Sequence, residues 1–323
     1  MWACYKVYLE AKALIHIGYG AKLGIVDRTR YYIPAKNIWG ALTSLVAKSI
    51  MENYSPKLYQ RIGEFLNENI KFSYFYPVEY KRTNGKIQVQ QVFAPCYKED
   101  GLKFGVCKDK KAISLEEFER IFISSFVSTA IDKTSKSAEE GSLHEIEFIR
   151  DRIKCGTEVK PPVFVGYFFV RDEPLKIKVE IKEVEISFAD SIEANGVKLN
   201  EIWVGGERNY GFGRVKIIKL SQENSKDDTI DLFNSGIKID ITREQPMILC
   251  EERRIIALSH VNTESLDTKL IRGDMEPLIG REWSERGSGQ KISQVAKICI
   301  TPGSQFVCDR VLSIGNFGIW EVV

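Results

Sequence analysis

Four of the nine residues from Gly205 to Gly213 are glycine, in the run GGERNYGFGRV, and apolar, strand-like segments flank it. Glycines gather this way where the backbone needs left-handed angles, or where another group approaches too closely for a Cβ. The run therefore predicts a tight loop between two strands, and successive amides in such a loop can cradle an anion. Gly205, Gly206, Gly211 and Gly213 supply the backbone, while Arg208 and Arg214 add charge. Tyr210 and Phe212 offer faces on which bases can stack. The run lacks the G-K-[ST] of a phosphate-binding P-loop and does not fit the dinucleotide fingerprint G-x-G-x-x-G. The competing reading is a purely structural turn.

The remaining pattern predicts mixed α and β structure. Tyr5, Val7, Leu9, Ala11, Ala13, Ile15 and Ile17 alternate with polar residues, which predicts a strand with one buried face. A loop follows through Gly18, Gly20 and Gly24; no helix opens after it and no acid follows at the spacing a dinucleotide-binding fold requires. Beyond Pro34 the spacing of Ile38, Leu42 and Leu45 predicts a helix from Lys36 to Tyr54, and Leu58, Ile62, Phe65 and Leu66 a second, short one. Asn84-Gly85 predicts a hairpin turn, and Ser114 caps a helix read as SLEEFERIFISSF. The polar run IDKTSKSAEEGS reads as a surface arm, VFVGYFFV and LKIKVEIKEVEI as strands, SFADSIEANGVKLNEIWV as an imperfect helix, and RVKIIKL as a strand. These elements fit an α+β, βαββαβ arrangement of the ferredoxin-like, RNA-recognition type. The polar run SQENSKDDT divides a domain at 1–222 from a smaller β-rich or ferredoxin-like one at 230–323.

Composition narrows the function classes. A chain of 323 residues suits two domains, and it contains no apolar run near the roughly 20 residues of a membrane helix. The N-terminus lacks the basic start of a signal peptide, so the expected location is cytoplasmic. Seven scattered cysteines without a C-x-x-C predict reduced thiols rather than a disulfide framework or a zinc site. Net charge is only +2, but residues 1–50 carry seven basic residues against Glu10 and Asp27. Local basic surface is what a polyanion meets. Lys22, Arg28, Arg30 and Lys36 can pair with phosphates, and Tyr31 and Tyr32 can stack on bases. Lys81, Arg82 and Lys86 surround the Asn84-Gly85 turn as a basic hairpin arm. Arg281 lies near Arg272, Trp283, Arg286 and Lys291, a second RNA surface or a socket for another subunit.

Several segments, in order, resemble one family. A strand ending in HIGYG, a basic loop, and IPAKNIWGAL opening a helix are similar to the start of the RAMP superfamily proteins of CRISPR systems. Ala35, Lys36 and Asn37 stand where that family commonly has glycine-serine-serine, and Trp39 replaces a basic residue. STAIDKTSKSAEEGSLHEIEFI resembles an internal segment of the family, GGERNYGFGRV its glycine-rich loop, and ITPGSQF a late proline-glycine-serine element. The resemblance implies a RAMP domain over 1–222 and a RAMP-like one over 230–323. It further implies binding of CRISPR RNA and of neighbouring subunits in a type III antiviral ribonucleoprotein, as a capping or scaffold subunit without catalysis or cofactor. It also marks Asp27, in the loop where backbone subunits of this family cut target RNA. The alternative reading is thus a metal-dependent endoribonuclease working through Asp27. A third, a nucleotide-binding metabolic enzyme, rests only on the glycine loops. His16, inside an alternating strand, reads as a packed residue, and His144 as a loop-edge one.

Overall fold

The computed structural model describes residues 2–22, 24–50, 55–106, 111–155, 158–179, 182–224, 227–250, 254–264, 269–284, 287–292, 296–308 and 310–323. Its centre is a seven-stranded sheet. The first strand, Trp2–Ala11, pairs antiparallel with Val163–Arg171 on one side and with Arg214–Gln222 on the other. Val163–Arg171 then pairs with Tyr76–Thr83 and, at its other end, with Ile70–Phe72. Lys86–Val92 and Glu201–Trp203 form the two edges.

The one-sided burial expected of the first strand is corrected by the structure, because both of its faces are covered. Val7 and Leu9 are fully buried, but so are Cys4 on the other face and, nearly so, Tyr8. On one side Phe168 meets Phe72, Phe75 and Phe188. On the other, Phe233 from the C-terminal part packs edge-on against Tyr76 and Tyr167, and its amide donates to the Tyr167 hydroxyl. One continuous hydrophobic cluster therefore runs from Trp2 to Trp320.

Helix α1 spans Ala35–Ile50 and α2 Pro56–Asn69; residues 51–54 of the expected first helix lie outside the described residues. The Ser55 hydroxyl caps α2 by accepting from the Leu58 amide, and Pro56 fits the first turn, where an amide would have no helical partner. Trp39 donates its indole N–H to the Gly63 carbonyl, 2.7 Å away, and so ties the two helices together. The Asn84-Gly85 hairpin forms as read, with positive φ at both residues.

Three other expectations change. Helix α3 covers only Leu115–Phe122, capped by Ser114 as read; the chain then turns into the strand Ile123–Ser128, which pairs with His144–Ile149. LKIKVEIKEVEI is a hairpin rather than one strand, with Leu175–Val179 against Lys182–Phe188. The expected helix after it is strand as well: Ile192–Ala194 and Val197–Lys198 close on Asn195-Gly196, both left-handed. A tight Asn-Gly turn outweighs a loose helical spacing.

Beyond residue 228 short strands dominate, as expected. An eight-stranded sheet follows the order Thr229–Asp231, Lys238–Asp240, Met247–Leu249, Leu312–Ile314, Trp320–Val322, Val261–Asn262, Lys297–Ile300, Met275–Leu278. The thiol expectation also needs amendment, since Cys96 is disulfide-bonded, while Cys4, Cys250, Cys299 and Cys308 form no disulfide.

Gly166 lies in the central strand, where an added Cβ would fall 2.5 Å from the Phe75 ring. Gly166→Ala should cost about 1–3 kcal/mol through overpacking, measured by denaturant unfolding; unchanged stability would show that Phe75 can move aside.

Candidate nucleic-acid interface

The glycine-rich loop folds back on the chain that follows the first strand. Gly205 and Gly213 have positive φ, and a Cβ on either would fall 2.1 Å from a backbone oxygen, that of His16 or of Val204. The Gly206 amide donates to the His16 carbonyl (2.9 Å) and the Gly213 amide to Leu14 (2.7 Å). Amides of Tyr210, Gly211 and Phe212 donate within the loop itself. These five donors are thus committed to protein carbonyls instead of opening as an anion cradle, which corrects the sequence expectation. Phe212 is buried against Phe126 and Phe148, so its ring does not face solvent. Tyr210 does, with 70% of its surface exposed. Arg208 donates to the carbonyls of Trp203 and Gly205 on the loop's outer side, and Arg214 pairs with Glu201 at 2.8 Å.

By holding residues 14–17, the loop shapes one wall of a cleft of about 520 Å3. Arg30, Lys36, Gly205, Gly206 and Arg281, all marked by sequence, line it together with Lys297, Tyr74 and His260. Four cationic side chains from distant parts of the chain therefore share one concave surface. Lys36, at the start of α1, lies over the Phe317 ring and against Gly280. Arg281 donates to the Gly289 carbonyl, and Lys297 pairs with Glu321 at 2.6 Å.

A chain of polar contacts runs beneath the cleft. The Tyr74 hydroxyl meets His260 Nδ1 at 2.6 Å, His260 Nε2 meets Glu276, and Glu276 pairs with Arg30 at 2.7 Å. Arg30 in turn donates to the Tyr32 hydroxyl. Burial pushes the His260 pKa below its ordinary value, against the pull of Glu276. Burial alone would raise Glu276, but its bonds to His260 and Arg30 outweigh that and hold the carboxyl below its usual range. A neutral ring with its proton on Nε2 satisfies both neighbours, donating to Glu276 and accepting from Tyr74. Glu276 and Leu278 face inward from the edge strand Met275–Leu278, while Met275 and Pro277 face out.

A second hollow, of about 270 Å3, adjoins the first and shares Arg30. The guanidinium groups of Arg28 (5.1 Å) and Arg30 (4.6 Å) both lie over the Tyr19 ring, with Tyr31 and Tyr97 nearby. Tyr32, read as a stacking residue, is buried and stacks on Tyr74 instead. The Ile33–Phe75 bridge pins this segment to the sheet and turns the ring inward.

Asp27 is exposed on the neighbouring strand, Val26–Thr29, and its carboxylate has no hydrogen bond or ion pair among the described residues. No group of three or more His, Cys, Asp or Glu side chains among those residues could hold a metal ion. Lys22 belongs to the strand Gly18–Lys22, but its side chain lies outside the described residues, as do Arg286 and the Trp283 side chain. Lys81 is exposed on the hairpin; Arg82 instead bonds the buried Glu10, which also holds Lys12. The arm at 131–142 is an exposed turn closed by the Ile131–Ala138 bridge. His16 is packed, with Nδ1 on the Glu147 carbonyl, although the strand expected to carry it ends at Ala11. Lys297, Tyr74 and His260 had no local sequence signal, because only the fold brings them to the cleft.

A sequence model of the RAMP superfamily matches residues 8–216. The chain belongs to the RAMP superfamily. The match runs from the first strand to the glycine-rich loop, so the RAMP region contributes Arg30, Lys36, Gly205 and Gly206 to the cleft, and Arg281 and Lys297 come from beyond it. No curated protein matches this RAMP chain. It is similar to a chain of the type III-B Cmr-beta complex bound to cognate target RNA and AMPPnP, at 14% identity, TM-score 0.48, and 94% and 86% coverage of the two chains. A chain of the type III-A Csm3–Csm4 subcomplex is similar at 13% identity and TM-score 0.39, covering 96% and 94%. No helix of the described residues is long and apolar enough to cross a membrane.

The polar chain makes stability depend on pH. Both depressed pKa values mean that the unfolded chain binds protons more readily than the folded one. Stability therefore falls on acidification, first below about pH 6.5, where an unfolded histidine protonates, and again through the carboxylate range. Denaturant unfolding at about pH 7.5 and about 5.5 should show this loss in the wild type and a smaller one in His260→Gln; an equal gap in both would place the sensitivity elsewhere.

Proposed function

We propose that this RAMP protein binds CRISPR RNA and neighbouring subunits in a type III effector ribonucleoprotein, as a non-catalytic capping or scaffold subunit. The observation that carries the reading is the convergence of Arg30, Lys36, Arg281 and Lys297 on one cleft. Clustered cations on a concave surface suit a phosphate backbone better than any neutral ligand, and the released counterions drive binding. The exposed rings of Tyr19, beside Arg28 and Arg30, and Tyr210 supply aromatic surface of the kind single-stranded RNA uses. The central strand order, with Trp2–Ala11 and Val163–Arg171 in the middle, supports a ferredoxin-like core over 1–222. The β-rich remainder, 230–323, supplies the opposite wall. Arg208, Arg214, Lys81 and Arg28 serve as outer contacts to RNA or to an adjacent subunit, and target RNA pairs with the bound guide.

Lys36→Ala and Arg281→Ala should each weaken binding of a single-stranded guide RNA, and each should lower the log–log salt slope by about one unit. Fluorescence titration across salt concentrations measures both. Unchanged affinity and slope in the double variant would remove the cleft from RNA binding.

The endonuclease reading keeps one supporting observation, the exposure of Asp27 without a partner among the described residues. In that case Asp27→Ala abolishes divalent-metal-dependent cleavage of target RNA by the assembled complex while binding persists. Cleavage at the wild-type rate excludes it.

A further inference from the structure

Cys250 and Cys308 are 58 positions apart in the chain, yet their sulfurs lie 2.6 Å from one another. The approach is imposed by the backbone on both sides of the pair. Met247 and Ile248 pair antiparallel with Ser313 and Leu312, and Arg254–Ile256 with Gln305–Val307. The cysteines sit in the gap between these two ladders, so neither chain can slide past the other. Both sulfurs also lie against the Arg310 carbonyl, at 3.8 and 3.0 Å. Cys308 is buried and Cys250 only half-buried, so a small reagent can reach the pair from the Cys250 side. Cys4 and Cys299 have no such sulfur neighbour among the described residues. Cys96 is itself already in a disulfide.

We propose that Cys250 and Cys308 form a reversible disulfide that ties the two ends of the segment carrying the C-terminal wall of the cleft. Between them lie His260, Glu276, Leu278, Arg281 and Lys297, all of which line the cleft or the polar chain beneath it. The oxidant is a low-molecular-weight disulfide such as oxidised glutathione. The Cys250 thiolate attacks one of its sulfurs and expels one thiolate; Cys308, having lost its proton, then displaces the second. One disulfide is consumed and one formed, and the two cysteine protons pass to the two released thiols. Cys308 beside it, and burial, raise the Cys250 pKa, so the exchange speeds up as pH rises. The bond restricts the unfolded chain by closing a long loop and leaves the folded ladders as they are.

The test uses the full-length chain. Reduced protein is incubated with oxidised glutathione, quenched with acid, and mapped as non-reduced peptides by mass spectrometry. The proposal expects the Cys250 peptide covalently joined to the Cys308 peptide, and separated again by dithiothreitol. Free thiols at both positions, or two separate glutathione adducts, would overturn it. Melting supplies a second measurement, in which Cys250→Ser/Cys308→Ser leaves the Cys96 disulfide intact. In non-reducing buffer its Tm should fall on the order of 10 °C below that of the oxidised wild type, and dithiothreitol should close most of that gap. A variant melting together with the oxidised wild type would count equally against the staple.

Discussion

The pairing of Trp2–Ala11 with Val163–Arg171, buried on both faces, is the constraint on which the rest of the structure depends. A sheet with one wet face could stand alone with its helices. This one cannot, because Tyr8, Tyr76 and Tyr167 form an apolar surface on the side away from Phe168, and something must cover it. Phe233 and the strands after it do so, which places residues more than 200 positions from the N-terminus directly against the first strand. The same enclosure sets the terms for polar groups. Glu10 is buried in that strand, and Lys12 and Arg82 both reach in to pair with it.

The cleft follows from this covering. Its two walls come from opposite ends of the chain and meet over the line Tyr74–His260–Glu276–Arg30–Tyr32. Such a buried line tolerates no missing member, since each loss strands a polar neighbour away from water. It therefore fixes the spacing of the walls more firmly than apolar contact alone would. Arg30 belongs to both systems: it completes the buried line and presents its remaining N–H groups to the cleft.

Much of the fold was legible because its signals are local. Asn84-Gly85 and Ser114 each act through their own turn of backbone, and each appears where the sequence put it. The family resemblance likewise rested on contiguous segments, and the superfamily match at 8–216 spans all of them except ITPGSQF. Failures came where tertiary packing decided. Phe212 and Tyr32 look like surface aromatics beside arginines, but the apolar neighbours that bury them are far away in sequence. The glycine loop read as an open cradle because nothing local shows that the carbonyls of Leu14 and His16 take its amides. Within the site, Arg30, Lys36 and Arg281 were visible as basic residues in basic stretches. Lys297 stands in a short strand and His260 just before another, and only the folded sheet gives them a common surface.

The alternation along Met275–Leu278 has a consequence for how this surface can vary between relatives. Glu276 and Leu278 point into the cleft while Met275 and Pro277 point away, and Lys297 enters from the strand paired with them. Replacing Leu278 acts locally, whereas replacing Glu276 removes a partner from both His260 and Arg30. Inserting or deleting a single residue instead turns the strand over, putting Met and Pro on the inner face and Glu on the outer. Outside Glu276, which the buried line fixes, that wall can vary by substitution, but changes of length must arrive in twos or be absorbed by the turns at its ends.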